Sequence, residues 1–152
     1  MANYDFNEDI IIGEAGEQII VNDLTKMGAK FMHFNKDNKY DLSMNVNGEV
    51  ITYEIKTDVF IRPESDTMNM FIEKECRGKS SGIEVTQAKW FVTYFKHIHE
   101  VWYIKTETLK ELIAKNNFKI TSNSGDLNSK TSGYLIPRLD FKKHFIIRAI
   151  PR

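Results

Sequence analysis

The dipeptide Asn47-Gly48 constrains this 152-residue chain more than any other feature. It stands between two runs that alternate apolar with polar residues: Leu42, Met44 and Val46 before it, and Ile51, Tyr53 and Ile55 after it. Period-two alternation marks a half-buried strand, because successive side chains leave a strand on opposite faces. A two-residue turn that matches strand twist needs positive φ at both central positions, which Asn-Gly accepts at little steric cost. The spacing therefore predicts an antiparallel hairpin of strands over Tyr40 to Val46 and Val50 to Thr57. It also sets the register. Val46 pairs with Glu49, Met44 with Ile51 and Leu42 with Tyr53, so that Asp41, one step further out, faces Glu54.

That register gathers charge. Opposed residues share a sheet face with Cβ atoms roughly 4.5–5.5 Å apart, and like charges in that position repel. Lys56 projects from the same face as Glu54, one pleat further on. Asp41, Glu54 and Lys56 thus meet on one small patch. A hard divalent cation suits it, since magnesium is typically held by one or two carboxylates together with waters and phosphate oxygens. The backbone carbonyl of Ile55 lies between the functional residues and is a candidate third protein ligand. Lys56 then either orients or helps deprotonate an attacking water, or neutralises charge developing on a phosphate.

Upstream, Ile12, Gly16, Ile20, Leu24 and Met27 recur at three- and four-residue steps and Gly28 follows as a stop, predicting a helix from Glu8 to Met27. At about 100° per residue, Glu17 lies roughly 60° from Ile20 and Glu14 roughly 120° away, so Glu17 is the helix carboxylate nearer the sheet. Downstream, the pattern predicts a strand over Asn69 to Glu73, a polar loop over Cys76 to Gly82, and a short helix near Thr86 to Lys89. Buried strands follow over Trp90 to Phe95 and Val101 to Lys105. Thr106 or Thr108 would cap a helix carrying Leu109, Leu112 and Ile113 and ending near Asn117. Thr121 to Gly133 reads as a loop before the apolar run Tyr134 to Ile136. The element order implies one α/β domain over 1–152, with a mixed central sheet flanked by helices.

Asp41, twelve intervening residues, then Glu54-Ile55-Lys56, all behind a helix containing Gly16-Glu17, resembles the PD-(D/E)XK nuclease superfamily. In look the chain is closest to its small Holliday-junction-resolvase-like and RecB-like members, including phage-encoded ones. The resemblance covers roughly Gly13 to Phe95 and implies a restriction-endonuclease-like αβββαβ core. It implies a deoxyribonuclease in DNA processing, repair or recombination, with endonucleolytic cutting as the expected mode. Asp41 and Glu54 would bind Mg2+ or Mn2+, Lys56 would support the nucleophilic water, and Glu17 would assist. Tyr40 replaces the proline that often precedes the aspartate. The partner implied is DNA, with a homodimer as the expected assembly; an exposed Trp102 or Tyr103 edge is one candidate for it, although a core strand explains those residues better. Two rivals stand beside this reading: a catalytically inactive nuclease-like module that binds nucleic acid, and a glycosidase using Asp41 and Glu54 as its acid and base pair.

Charge is balanced, 21 basic against 21 acidic residues, but it is unevenly spread. The first 28 residues are acidic and the stretch after Lys119 is basic, which suits a polyanion held at one surface and processed at another. Arg77 and Lys79 flank Gly78 in the polar loop, and Lys89 precedes a buried strand; these three are the candidate nucleic-acid contacts. Arg138, Lys142, Lys143 and Arg148 interleave with Phe141 and Phe145, although core phenylalanines between surface lysines explain that pattern more simply. Glu73 is a reserve ligand, and His97-x-His99 reads as a polar turn. The lone Cys76 excludes an internal disulfide and a multi-thiolate zinc site. With no apolar run of roughly 18 residues and no signal-peptide pattern, the expected location is cytoplasmic, the host cytoplasm for a phage-encoded chain.

Overall fold

A computed structural model describes residues 6–35, 37–122 and 130–152. Helix α1 (Phe6–Lys26) stops where Gly28 takes a φ of 98°, which a glycine adopts freely. Strands β1 (Lys30–Phe34), β2 (Leu42–Val46) and β3 (Glu49–Asp58) follow, each antiparallel to the next. Asn47 and Gly48 have φ of 53° and 86°, as the predicted turn requires, and the pairs Val46 with Glu49, Met44 with Ile51 and Leu42 with Tyr53 all form.

The chain then makes β4 (Asn69–Cys76), β5 (Lys79–Ser80), β6 (Trp90–Phe95), β7 (Glu100–Lys105), α2 (Thr106–Lys115), β8 (Lys119–Ser122), β9 (Thr131–Pro137), α3 (Arg138–Phe141) and β10 (Ile146–Ala149). The central sheet has six strands in the order β1-β2-β3-β6-β7-β10, and β3 runs parallel to β6 while its other pairs are antiparallel. The mixed α/β class is as expected. Each face of this sheet is covered. On one, Ile20 and Leu24 of α1 join Leu42, Met44, Ile51, Tyr53 and Ile55. On the other, Phe91, Phe95, Trp102 and Ile104 join Leu109 and Leu112 of α2 and Met70, Ile72 and Ile136 of a second sheet, β5-β4-β9-β8.

Several expectations are corrected. β1, which the sequence pattern does not predict, has no period-two alternation because all five of its residues are exposed and a bulge lies between Phe31 and His33. β4 leaves the central sheet for the second one, after Asp58 accepts the Phe60 and Ile61 amides and Asp66 accepts that of Met68, turning the chain away. The expected loop over Cys76 to Gly82 contains a tight hairpin, in which Arg77 and Gly78 supply φ of 53° and 78°. No helix spans Thr86 to Lys89; a single 3-10 turn lies earlier, at Gly82–Glu84. The N-cap of α2 is Lys105, not a threonine, and it makes no side-chain cap. β8 and β9 shorten the loop expected over Thr121 to Gly133, of which 123–129 lie outside the described residues. Trp102 and Tyr103 lie in a core strand, the reading favoured over an exposed edge, since β7 is paired on both sides and they are 4% and 3% exposed. No described helix is long and apolar enough to cross a membrane.

Gly16 explains how α1 reaches β3. A Cβ there would overlap Thr57 Oγ1 and press on Thr57 Cβ. Gly16→Ala is expected to destabilise the fold by about 1–3 kcal/mol through this overpacking, measured by denaturant unfolding. Thr57→Ala in the same background should recover part of the loss, because it removes the oxygen that the new methyl meets.

Candidate functional site

β2 begins only at Leu42, opposite Tyr53, while β3 runs on to Asp58. Beyond that point the β2 side of β3 is taken up by Asp41. Its amide donates to the Tyr53 carbonyl at 2.9 Å, and its Oδ2 accepts the Ile55 amide at 2.7 Å. In a strand the N–H and C=O of one residue point the same way, so the Ile55 carbonyl also faces this notch. The sequence register therefore continues beyond β2. Asp41 lies near enough to Glu54, the residue it was expected to face, for its charge to act on that carboxyl.

Glu54 is 9% exposed, and alternation turns it away from the α1 core toward the second sheet. The Thr86 hydroxyl donates to its Oε1 at 3.0 Å. Lys56 Nζ lies 3.6 Å from Glu54 Oε2 and 3.9 Å from Glu73 Oε2, so β4, although in the other sheet, lends a carboxylate to the patch. Glu17 is half-buried on α1 and Glu14 is exposed, the order predicted from helix angles.

Electrostatics ties these groups together. Burial pushes Glu54 up to about 7, with Asp41 adding to the rise and Lys56 and Thr86 opposing it. Asp41 is also raised, chiefly by burial, against the Ile55 amide and Lys56. Glu17 is pushed up to about 7 by burial and then by the charges of Asp41, Glu14 and Glu54. For Lys56, burial works to lower its value, but Glu73, Glu54 and Asp41 together outweigh it and hold the ammonium above the ordinary lysine range. Each carboxylate thus carries charge at a cost, and a cation among them would relieve it.

Glu73 and Thr86 are the parts that sequence reasoning left out or in reserve. Thr86 lies 32 residues from Glu54 on an irregular segment, where no periodicity places it. Arg77 and Lys79 are exposed on the β4–β5 hairpin, with Arg77 four residues past Glu73, roughly 13 Å along an extended chain. Neither makes an ion pair with the carboxylates of the patch, which are taken up by Lys56. Lys89 points elsewhere: its Nζ is 3.5 Å from Glu49 Oε1, at the far end of β3. Of the basic tail, Arg138 is buried, paired with Asp66 and stacked over Phe95, while Arg148 binds Asp23 at 2.8 Å. Phe141 and Phe145 pack on the core. His97 and His99 lie in the turn between β6 and β7, as expected.

Among the described residues, no three acidic, histidine or cysteine side chains gather as a metal-holding group. The notch instead offers two carboxylates, Asp41 and Glu54, with the Ile55 carbonyl alongside. That donor set fits a hard cation that keeps several waters and takes its remaining ligands from a phosphate; it does not fit one needing an all-protein cage. No protein-family model, curated protein or solved structure matches this chain.

Proposed function

We propose that this chain is a Mg2+- or Mn2+-dependent deoxyribonuclease that hydrolyses phosphodiester bonds in DNA at the notch just before the start of β2. One observation carries the reading: Asp41 closes on the Ile55 amide of the Glu54-Ile55-Lys56 run at 2.7 Å, and Lys56 Nζ stands 3.6 Å from Glu54. The choice of DNA, and of a PD-(D/E)XK nuclease with a restriction-endonuclease-like core, rests on the resemblance of Asp41, Glu54, Ile55 and Lys56 to that superfamily. The consecutive α1, β1, β2 and β3 followed by parallel β6 support such a core; the expected second helix is replaced by the β4–β5 hairpin and a 3-10 turn.

Asp41, Glu54 and the Ile55 carbonyl would hold the divalent cation, which would supply Lewis acidity toward a phosphate. The protein groups do the rest. Thr86 fixes the Glu54 carboxylate by donating to Oε1, and Glu73 holds Lys56 from the other side. The Lys56 ammonium stabilises negative charge that grows on the scissile phosphate. Glu17, raised to about 7, accepts a proton from the attacking water at its carboxylate near neutral pH.

The test is nicking of plasmid and cleavage of single-stranded DNA with either metal ion. Lys56→Ala is expected to lower the rate by about 10²-fold or more while DNA binding persists. If both proteins bind DNA and neither cuts it, the alternative holds, and the chain is a nuclease-like module that binds nucleic acid without catalysis.

A further inference from the structure

The segment from Thr86 to Lys89 forms no helix and joins no strand before Trp90, yet each of its amides is held by a distinct partner. Thr86 donates to the Gly82 carbonyl at 3.0 Å, Gln87 to the Lys39 carbonyl at 2.7 Å, Ala88 to Thr86 Oγ1 at 3.2 Å and Lys89 to Thr52 Oγ1 at 3.0 Å. Irregular backbone can be buried only when its polar groups are answered in this way. Two of the partners have something in common. Lys39 stands two residues before Asp41, and Thr52 two residues before Glu54, so one short segment clasps both pieces of chain that carry the candidate ligands. We infer that Thr86 is a positioning residue that sets the spacing of the Asp41 and Glu54 carboxylates, and thereby which divalent cation the notch prefers, a role that rests on the notch being the cation site of a nuclease.

The Thr86 hydroxyl has a single proton and two acceptors in reach, Glu54 Oε1 at 3.0 Å and the Lys39 carbonyl at 3.3 Å. Glu54 is the nearer, and an ionised carboxylate is the stronger acceptor. The Lys39 carbonyl keeps the Gln87 amide, so neighbouring residues hold the two sides of the notch, Gln87 through its backbone and Thr86 through its side chain. Asp41 has anchors of its own in the Tyr53 carbonyl, the Asn35 amide and the Ile55 amide. Glu54 depends more on Thr86. Its other oxygen, Oε2, faces Lys56 Nζ at 3.6 Å, at the tip of a long side chain, whereas Thr86 is short and 5% exposed, so the hydroxyl is what gives the carboxylate a fixed direction. Direction matters most to magnesium. It demands near-ideal octahedral geometry at about 2.0–2.1 Å, while calcium accepts roughly six to eight oxygens at about 2.3–2.6 Å in flexible arrangements. A carboxylate held in one orientation favours the smaller ion, and one free to turn loses that preference.

The test is an amide-resolved NMR titration of the full chain with Mg2+ and, separately, with Ca2+, a readout that needs no cleavage. The Ile55 amide reports the notch, and the Gln87 and Ala88 amides report the clasp. In wild type, Mg2+ should shift all three. Thr86→Val, nearly the same shape without the hydroxyl, should weaken Mg2+ binding about tenfold or more, the usual loss when a group that orients a metal ligand is removed, and weaken Ca2+ binding less. Thr86→Ser keeps the hydroxyl and should restore most of the Mg2+ affinity, which a purely packing role would not. Equal Mg2+ affinity in wild type and Thr86→Val, an equal loss for both cations, or a Thr86→Ser protein as weak as Thr86→Val would each overturn the role. Should Thr86→Val fail to fold, the wild-type titration decides: Mg2+ that moves Ile55 and leaves Gln87 and Ala88 unmoved overturns it too. A wild-type chain that binds neither cation at Ile55 removes the nuclease reading together with this role, whereas a chain that binds Mg2+ there regardless of the Thr86 hydroxyl loses this role alone.

Discussion

Asp41→Asn is expected to lower metal-dependent DNA cleavage by about 10²–10³-fold while making the metal-free protein more stable at pH 8. The two signs come from one change. An asparagine oxygen can still accept the Ile55 amide that Asp41 Oδ2 now takes at 2.7 Å, so the start of β2 stays closed. What disappears is a negative charge that burial makes costly to hold and that adds to the cost of ionising its neighbour Glu54. Without it the notch keeps one carboxylate, too few to compete with water for a magnesium ion. Cleavage rates at saturating Mn2+ and calorimetric melting in chelator measure the two halves separately. A residue that merely shaped the fold would lose stability and activity together. Cleavage by Asp41→Asn at the wild-type rate would end the assignment of Asp41 to the site. A second readout avoids activity altogether: Mn2+ should raise the melting temperature of the wild-type chain and not that of the variant.

The patch was legible because one turn determined it. Asn47-Gly48 admits a single short loop, and once that loop closes, every pair out to Leu42 and Tyr53 is fixed by counting. The helix was legible for a related reason: Ile20 and Leu24 repeat at four residues, and that face alone meets the sheet. Elements that owe their place to distant partners were not. β1 pairs with β2 although its exposed Phe31, Met32 and Phe34 carry no alternating pattern. β4 has an ordinary strand sequence, and nothing local says that it joins β9, more than fifty residues later, instead of β3.

Side chains that reach between elements were hidden in the same way. Thr86 and Glu73 come to Glu54 and Lys56 only after two sheets have packed. The basic tail shows the reverse error. Arg138 and Arg148 look like surface cations in the sequence, yet each is consumed by an acid far away in the chain, Asp66 and Asp23. The Asp23 carboxylate also accepts the Tyr103 hydroxyl at 2.7 Å, so the acidic first helix and the basic last strand are partly joined inside the fold and do not simply present opposite surfaces. Charge counted along a sequence overstates what remains available to a polyanion.

The cost of holding the carboxylates together should appear in how the metal-free protein responds to pH. Glu54 sits at about 7 in the folded chain against an ordinary value of 4.5. An acid raised on folding binds more protons in the native state, so its contribution to stability is complete below the unfolded value and is lost as pH climbs through the folded one. The sign is therefore a decline between about pH 5 and 8. For Glu54 the size is about 2–3 kcal/mol, worth roughly 5–10 °C in melting temperature for a domain of this length. Glu17 moves in the same direction, with a smaller effect because water still reaches it. Lys56 does not oppose them in this window, since its raised value keeps it charged throughout. Glu54→Gln should flatten the decline and raise the pH 8 melting temperature, even though it gives up the ion pair with Lys56, because Glu73 still faces that ammonium. Saturating Mg2+ or Mn2+ should flatten it in the wild-type chain too, by stabilising the ionised carboxylates that protons otherwise neutralise. A melting temperature in chelator that holds level from pH 5.5 to 8, and is unchanged by Glu54→Gln, would mean that the notch stores no such charge strain; the physical reason for a cation to settle there would then be gone.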